Sequence, residues 1–389
     1  MTRLGSKLPF EQAAEEVKFN QGVKVNEATV RRTTEGYGVA AEAIARAEVE
    51  ELERKMEPAE AKPEQVMVSA DGAFIALTTG EWREVKTVAI GEFEKIWNSK
   101  KGEMEVHSHN LSYFSRIYPV REFERYALAE LQRRGVFNAR VVATPNDGST
   151  WIQSFSDYHI PQAERILDFS HAVGYVAEAG KVAWGEATDA FNAWFGRTRH
   201  QLKYKPPKHT LNDLQLLLPK VSSEADIAII DQAHDYLERR LSQIDYPYFR
   251  ARGLPIGSGS VESSHKVVVH SRLKQAGMRW AEPHVNPMLA LRNLVCNDRW
   301  QEGWNQIAAF HWQQQHKQWR QQAHKQRPFG PTPIPDPAPE LTPLVTAPVI
   351  KPAQPSSTSD SKRLQPYRPP DDHPWRRGIR PSRETRRCS

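Results

Sequence analysis

The sequence predicts an α/β protein built on a mixed sheet flanked by helices. Hydrophobic alternation typical of strands begins near residue 65, and further strand-like runs follow before residue 174. Helical periodicity fills residues 8–56 in front of this region and residues 175–250 behind it. Adjacent strands followed by alternating helix and strand are typical of a sheet covered by helices on its faces.

The N-terminal segment, residues 1–64, is predicted to be helical. Apolar residues recur at helical spacing from Phe10 to Val17, Gly22 interrupts the pattern, and Asn26 is a suitable cap for a second helix. That second helix carries Arg31 and Arg32. Helix, short turn and basic helix form the outline of a helix-turn-helix, which predicts DNA contact through the two arginines. An ordinary helical hairpin is the alternative.

Residues 65–174 are predicted to contain most of the sheet. Alternating runs predict strands over 66–70, 74–77 and 84–91, with Asp71-Gly72 as the turn between the first two. A helix over 120–134 and a buried strand over 140–144 follow. The segment RILDFSHAV predicts a further strand that runs into a helix.

The rest of the chain divides into three predicted segments. Residues 175–250 are helical, and residues 251–327 contain a Gly/Ser-rich loop that leads into further helices. Residues 328–389 hold 15 of the 28 prolines and few aliphatic residues. Such a segment buries too little apolar surface to offset its ordering entropy, so this tail is predicted to be disordered.

Charge and cysteine content exclude several classes. The net charge is +6, of which +4 belongs to the tail, so the body is not a histone-like polycation. Two cysteines argue against a disulfide framework and a cysteine-based zinc site. Neither a run of about 18 apolar residues nor a signal peptide is present, which predicts a cytoplasmic protein without a membrane partner.

Three acids are placed where a metal site could form. Asp71 and Asp147 follow predicted strands, and Glu262 opens a helix behind the Gly-Ser loop. Carboxylates at strand ends and at a helix start can converge at one edge of a sheet, and Mg²⁺ prefers oxygen ligands. Each acid also has a simpler interpretation, because Asp-Gly is a turn signal and a glutamate favours a helix N-terminus.

Several blocks together resemble the DDE transposases of bacterial insertion sequences, of the ISKra-type group. The blocks are VSADGAFIAL, RVVATPNDGSTWIQSFSDYH, RILDFSHAVGYVAEAG, PIGSGSVESSHKVVVHSRLKQAGMRW and HVNPMLALRNLVCNDRW, and the resemblance covers roughly residues 8–305. It implies a ribonuclease-H-like core with a helical insertion between the second and third catalytic acids. Asp71, Asp147 and Glu262 would then be catalytic and would bind two Mg²⁺ ions, with Mn²⁺ as a substitute.

The resemblance also implies an activity and partners. Metal-dependent strand cleavage and strand transfer would act on double-stranded DNA, with a homo-oligomer assembled on the element ends in the bacterial cytoplasm at the nucleoid. Family members carry a Cys-rich element upstream of the block resembling LPFEQAAEEV, and this sequence has no such cysteines. That departure motivates an alternative, a catalytically inactive transposase-derived DNA-binding protein. A nuclease without strand transfer would use the same acids.

Four further residues are expected to support the acids. Asp168 and His171 resemble the family's D-x-x-H element, which implies a role near the DNA or in ordering the site, with structural packing as the alternative. His265 and Lys266 follow Glu262 by three and four residues, so on a regular helix they would share its face and meet the scissile phosphate. The alternative is a capped helix with a solvated lysine.

A basic and aromatic group follows in the same region. Arg272, Lys274, Arg279 and Trp280 combine positive charge with a large ring, a mixture that serves phosphate contact and base stacking. They are therefore candidate DNA-binding residues. A structural role for the tryptophan is the alternative.

Overall fold

A five-stranded sheet carries the rest of the fold in this computed structural model, which describes residues 1–55, 59–99 and 102–325. Its strands run in the order β3-β2-β1-β4-β5. β1, β2 and β3 are antiparallel neighbours, whereas β4 and β5 continue the sheet parallel to β1. Their bounds are Gln65–Ala76, Trp82–Asn98, Glu103–Arg116, Val141–Asn146 and Glu164–Leu167. The predicted mixed sheet is confirmed.

β1 is a single strand where the sequence predicts two. Asp71 and Gly72 pair with Thr87 and Lys86 in an unbroken antiparallel ladder, so the predicted turn at this pair is wrong. The chain reverses later, where the Leu77 N–H donates to the Glu81 carbonyl. The ladder with β2 outweighs the local turn preference of Asp-Gly, because backbone N–H and C=O groups need hydrogen-bond partners.

β3 is absent from the sequence-based prediction. Its first half, which begins at Glu103, is mostly exposed and mixes acids, histidines and serine, so hydrophobic alternation gives no signal there. Only its second half is buried, up to Arg116. β3 lies at one edge of the sheet and forms a long hairpin with β2.

Alternate residues of β1 face two helical layers. Val66, Val68 and Ala70 pack with the helices α4 (Val120–Arg133) and α5 (Thr150–His159). On the other face, Ala73 and Ile75 pack with Val261 and with residues of α13 (Val285–Cys296). This division follows from the two-residue period of a strand.

The predicted helical segment over 175–250 is confirmed and shares its core with the sheet. It contains the end of α6 (Phe169–Trp184), α7 (Asp189–Tyr204), α8 (Pro207–Gln215), α9 (Glu224–Glu238) and the start of α10 (Tyr246–Arg252). Leu202, Leu214 and Leu237 belong to one buried cluster with Met67 and Ile166 of the sheet. The chain then returns through α11 (Gly259–Ser264), a π-helical turn over His265–His270 and α12 (Ser271–Leu273).

The N-terminal helices are α1 (Thr2–Gly5), α2 (Phe10–Gln21) and α3 (Glu27–Arg54). The predicted break and cap are confirmed, because Asn26 Oδ1 accepts the Thr29 N–H at 2.7 Å. Gly38 of α3 lies directly against Pro287, so α3 packs on α13. A last helix, α14, covers Trp300–Lys325.

Residues 1–326 form one compact unit, so the predicted divisions at 64, 174 and 250 are subdivisions of a single body. The predicted disordered tail over 328–389 lies outside the described residues. Within the described part of the chain, every helix is too short or too polar to cross a membrane.

Candidate metal centre

The three predicted acids line one cleft. Asp71, Asp147 and Glu262 share a cavity of about 570 Å³ together with Asp168 and His171. Asp71 comes from the middle of β1, Asp147 directly follows β4, and Glu262 lies in the first turn of α11. Because β1 and β4 are parallel neighbours, their side chains meet at the same place although Asp71 does not end its strand.

Side chains join β1 to β4 beside the acids, where the backbone ladder stops. The regular pairing ends at Met67 and Ala143, and Pro145 has no N–H to continue it. The Ser69 Oγ donates to the Pro145 carbonyl at 2.6 Å. Asn146 Oδ1 then accepts the Ala70 N–H at 2.6 Å. These buried bonds fix the positions of the two aspartates relative to each other.

The helical segment over 175–250 holds the loop that contains Asp147 and Gly148. The Tyr236 Oη donates to the Asp147 carbonyl at 2.8 Å, and Arg240 Nη2 donates to the Gly148 carbonyl at 3.2 Å. Gly148 has a φ of +80°, and a Cβ there would lie 2.6 Å from the Tyr236 Oη. Tyr236 and Arg240 belong to no recognisable motif, so the sequence alone does not single them out.

Asp168 connects the start of α6 to the start of α11. Its Oδ1 accepts the His171 N–H at 2.8 Å and caps α6. Its Oδ2 accepts the Ser258 N–H at 2.6 Å and the Ser258 hydroxyl at 3.0 Å. Asp168 is buried, and Glu262 follows Ser258 by one helical turn. Asp168 therefore positions Glu262, whereas His171 lines the cleft.

The cleft concentrates negative charge. Burial, followed by the charges of Asp147, Glu262 and Glu84, raises the pKa of Asp71 from 3.8 to about 6. A hydrogen bond from the Gly72 N–H to Asp71 Oδ1, at 2.7 Å, acts in the opposite direction. Within the described residues, none of the three predicted metal ligands has a lysine or arginine at ion-pair distance. A site of this charge suits a divalent cation.

The residues fit the ions that the family resemblance implies. Carboxylate oxygens are the ligands that Mg²⁺ and Mn²⁺ prefer. The oxygens of Asp71, Asp147 and Glu262 do not all lie within 4.8 Å of one another, unlike the ligand atoms of His234, Asp235 and Glu238 on α9. The α9 group lies outside the cleft and is mostly exposed.

His265 and Lys266 differ from their expected positions. His265 is only 6% exposed, and its Nδ1 lies 3.5 Å from Asp71 Oδ2, behind the carboxylate. Burial lowers the pKa of His265. Lys266 is exposed and does not line the cleft. A π-helical turn covers His265–His270 after α11.

The four basic and aromatic candidates divide into two pairs. Arg272 is 1% exposed and lies between the rings of Phe10 and Trp280, at 4.5 and 4.8 Å from their centroids. Its Nε donates to the Gly5 carbonyl at 2.9 Å. Trp280 is also buried, so the expected DNA contact is wrong for this pair, which holds the N-terminal residues on the core.

The remaining basic candidates are exposed. Lys274 and Arg279 lie on the surface beside the buried pair, and Arg31 and Arg32 lie on the surface of α3. DNA contact by these four residues stays a prediction.

Comparison with protein-family models finds no match to this chain, and comparison with curated proteins finds no significant match. The resemblance to DDE transposases therefore stays an expectation.

Proposed function

We propose that this protein is a DDE-type DNA transposase of an insertion sequence. The observation that carries the proposal is the convergence of Asp71, Asp147 and Glu262 in one cleft, with no lysine or arginine at ion-pair distance among the described residues. The strand order 3-2-1-4-5, with three antiparallel strands followed by two parallel ones, supports a ribonuclease-H-like core. A helical insertion between Asp147 and Glu262 is in keeping with this class.

The proposed reaction consists of two phosphoryl transfers at one site. In the first, a water oxygen bonds to a phosphorus at the element end, the P–O3′ bond breaks, and a 3′-hydroxyl is released. In the second, this 3′-hydroxyl bonds to a phosphorus of target DNA, and a target 3′-hydroxyl leaves. Bound Mg²⁺ supplies Lewis-acid activation of the attacking oxygen and stabilises the leaving one.

Different residues of the chain would bind the metal ions, position the acids and contact the DNA. Asp71, Asp147 and Glu262 would hold the ions, and the buried Asp168 and the Tyr236 hydroxyl keep two of these acids in place. The exposed basic residues Arg31, Arg32, Lys274 and Arg279 would contact DNA phosphates. We propose that the protein binds the two element ends as a homo-oligomer. This assembly would form in the bacterial cytoplasm, at the nucleoid.

The test is strand cleavage and joining by the full chain on DNA that carries the element ends, with Mg²⁺ or Mn²⁺. We expect wild-type cleavage and joining, and a loss of at least about a hundredfold in Asp71→Ala and Asp147→Asn. Asp231→Asn, at an exposed acid of α9, is the matched control and should retain activity. Undiminished cleavage by the Asp71 or Asp147 variants would contradict the proposal.

Two other outcomes identify the alternatives. A wild-type chain that binds the element ends but does not cut them, whichever metal ion is added, would be the inactive DNA-binding protein. A chain that cuts DNA but never joins its 3′-hydroxyl to a second molecule would be a nuclease.

A further inference from the structure

One face of α6 forms the wall of the cleft beside the acids. Ser170, His171, Gly174, Tyr175 and Glu178 all line the cavity that contains Asp71, Asp147 and Glu262. Their spacing of three and four residues places them on one side of the helix. We call these five residues the α6 wall. Asp168 caps the helix at the end nearest Ser258, so the wall is fixed relative to α11.

Gly174 leaves an opening in this wall. Glycine destabilises a helix interior relative to alanine, and a Cβ at Gly174 would meet nothing within 4 Å. Gly180 in the same helix has a packing reason, because a Cβ there would lie 2.3 Å from Trp194. Packing therefore explains one glycine of α6 but not the other. Space above Gly174 allows a bound molecule to approach the helix backbone.

Aromatic side chains give the wall a rigid surface on the side of Asp147. The rings of Tyr175 and Tyr236 stack with centroids 4.0 Å apart and planes 14° apart, and His171 meets Tyr175 edge-on at 5.5 Å. The Tyr236 hydroxyl is bound to the Asp147 carbonyl. A molecule lying on the wall is thereby held in a fixed position relative to the acids.

We propose that the α6 wall is the subsite for the nucleotide next to the scissile phosphate, on a single DNA strand that passes over Gly174. The wall carries hydroxyl, imidazole and phenol groups, together with the carboxylate of Glu178, which is ion-paired with Lys181 at 2.8 Å. No lysine or arginine lines the wall, so it suits the sugar and base of a strand better than its phosphate. Aromatic groups in contact with a nucleotide stabilise single-strand binding in many proteins. The inference rests on the proposed function for the identity of the ligand.

The test fills the opening with a side chain. Gly174→Leu places a branched side chain in the cleft, whereas Gly196→Leu makes the same change in the interior of α7, where a Cβ also meets nothing within 4 Å. Both variants should fold and melt at or above the wild-type temperature, because leucine favours helix over glycine. The probe is a short fluorescent single-stranded DNA with Ca²⁺, measured by fluorescence anisotropy.

We expect Gly174→Leu to bind this DNA about tenfold or more weakly, and Gly196→Leu to bind it like the wild type. Mn²⁺ binding, measured by calorimetry, should be unchanged in both. Equal DNA affinity in Gly174→Leu and the wild type, or a wild-type chain that does not bind the DNA, would overturn the subsite. Selective loss of binding in a chain that never cuts DNA would retain the subsite and refute the transposase activity alone.

Discussion

Removing one carboxylate from the cleft should stabilise the metal-free protein. The pKa of Asp71 is raised from 3.8 to about 6. A shift of this size means that the ionised carboxylate destabilises the folded state by roughly 3 kcal/mol. The Asp71 side chain is 34% exposed, so solvent screening reduces this to about 1–2 kcal/mol. Asn at this position would retain an oxygen for the Gly72 N–H and remove the charge that Asp147 and Glu262 repel.

The gain in stability from removing the Asp71 carboxylate depends on pH. Because folding raises the pKa of Asp71, the folded protein binds this proton more tightly than the unfolded chain. The cost is absent below about pH 3.8, grows as the pH rises towards 6, and is complete above that value. Asp71→Asn should therefore raise the free energy of unfolding by about 1–2 kcal/mol at pH 8 and leave it unchanged near pH 4.

The assay is urea unfolding in the presence of EDTA at both pH values. Asp231→Asn is the control and should change stability by less than about 0.5 kcal/mol. Added Mn²⁺ should stabilise the wild type more than Asp71→Asn, because the variant lacks one of the proposed carboxylate ligands. An ion that binds only the folded state shifts the unfolding equilibrium towards that state. If Asp71→Asn did not raise the free energy of unfolding at pH 8, the view that the cleft holds uncompensated negative charge would be refuted.

Three further changes test the residues that position the acids and the DNA. Asp168→Asn should cost about 1.5–3 kcal/mol in urea unfolding and weaken Mn²⁺ binding, because an amide cannot replace both carboxylate oxygens that face α6 and Ser258; wild-type stability would contradict this. Tyr236→Phe should cost about 1 kcal/mol and lower Mn²⁺ affinity, since the Asp147 carbonyl loses its partner; unchanged calorimetric affinity would speak against it. Lys274→Ala should weaken DNA binding for all sequences and reduce the salt slope by about one, and an unchanged slope would exclude a phosphate contact.

Local sequence patterns predict most of the helices and strands, and they predict that Asp71, Asp147 and Glu262 converge, which the shared cleft confirms. Asn26 and the helices on either side of it follow from local capping and periodicity, and the structure confirms them. Asp71 was placed correctly in the cleft but for an incorrect reason, because a turn was expected where an uninterrupted ladder forms. Local preferences cannot show that a distant strand will pair through such a position.

Long-range contacts account for what the sequence did not show. Arg272 resembles a surface residue by type, yet Phe10 and the Gly5 carbonyl bury it from the far end of the chain. The hydrogen bond from Tyr236 to the Asp147 loop joins residues 89 positions apart. Neither contact leaves a periodicity or a motif that a single sequence can reveal.

The most direct test of the central claim is the position of Mn²⁺ in crystals of the full chain, read from anomalous scattering. We predict two peaks in the cleft, in contact with the carboxylates of Asp71, Asp147 and Glu262. An empty cleft at saturating Mn²⁺, or ions bound only at His234, Asp235 and Glu238, would contradict the account.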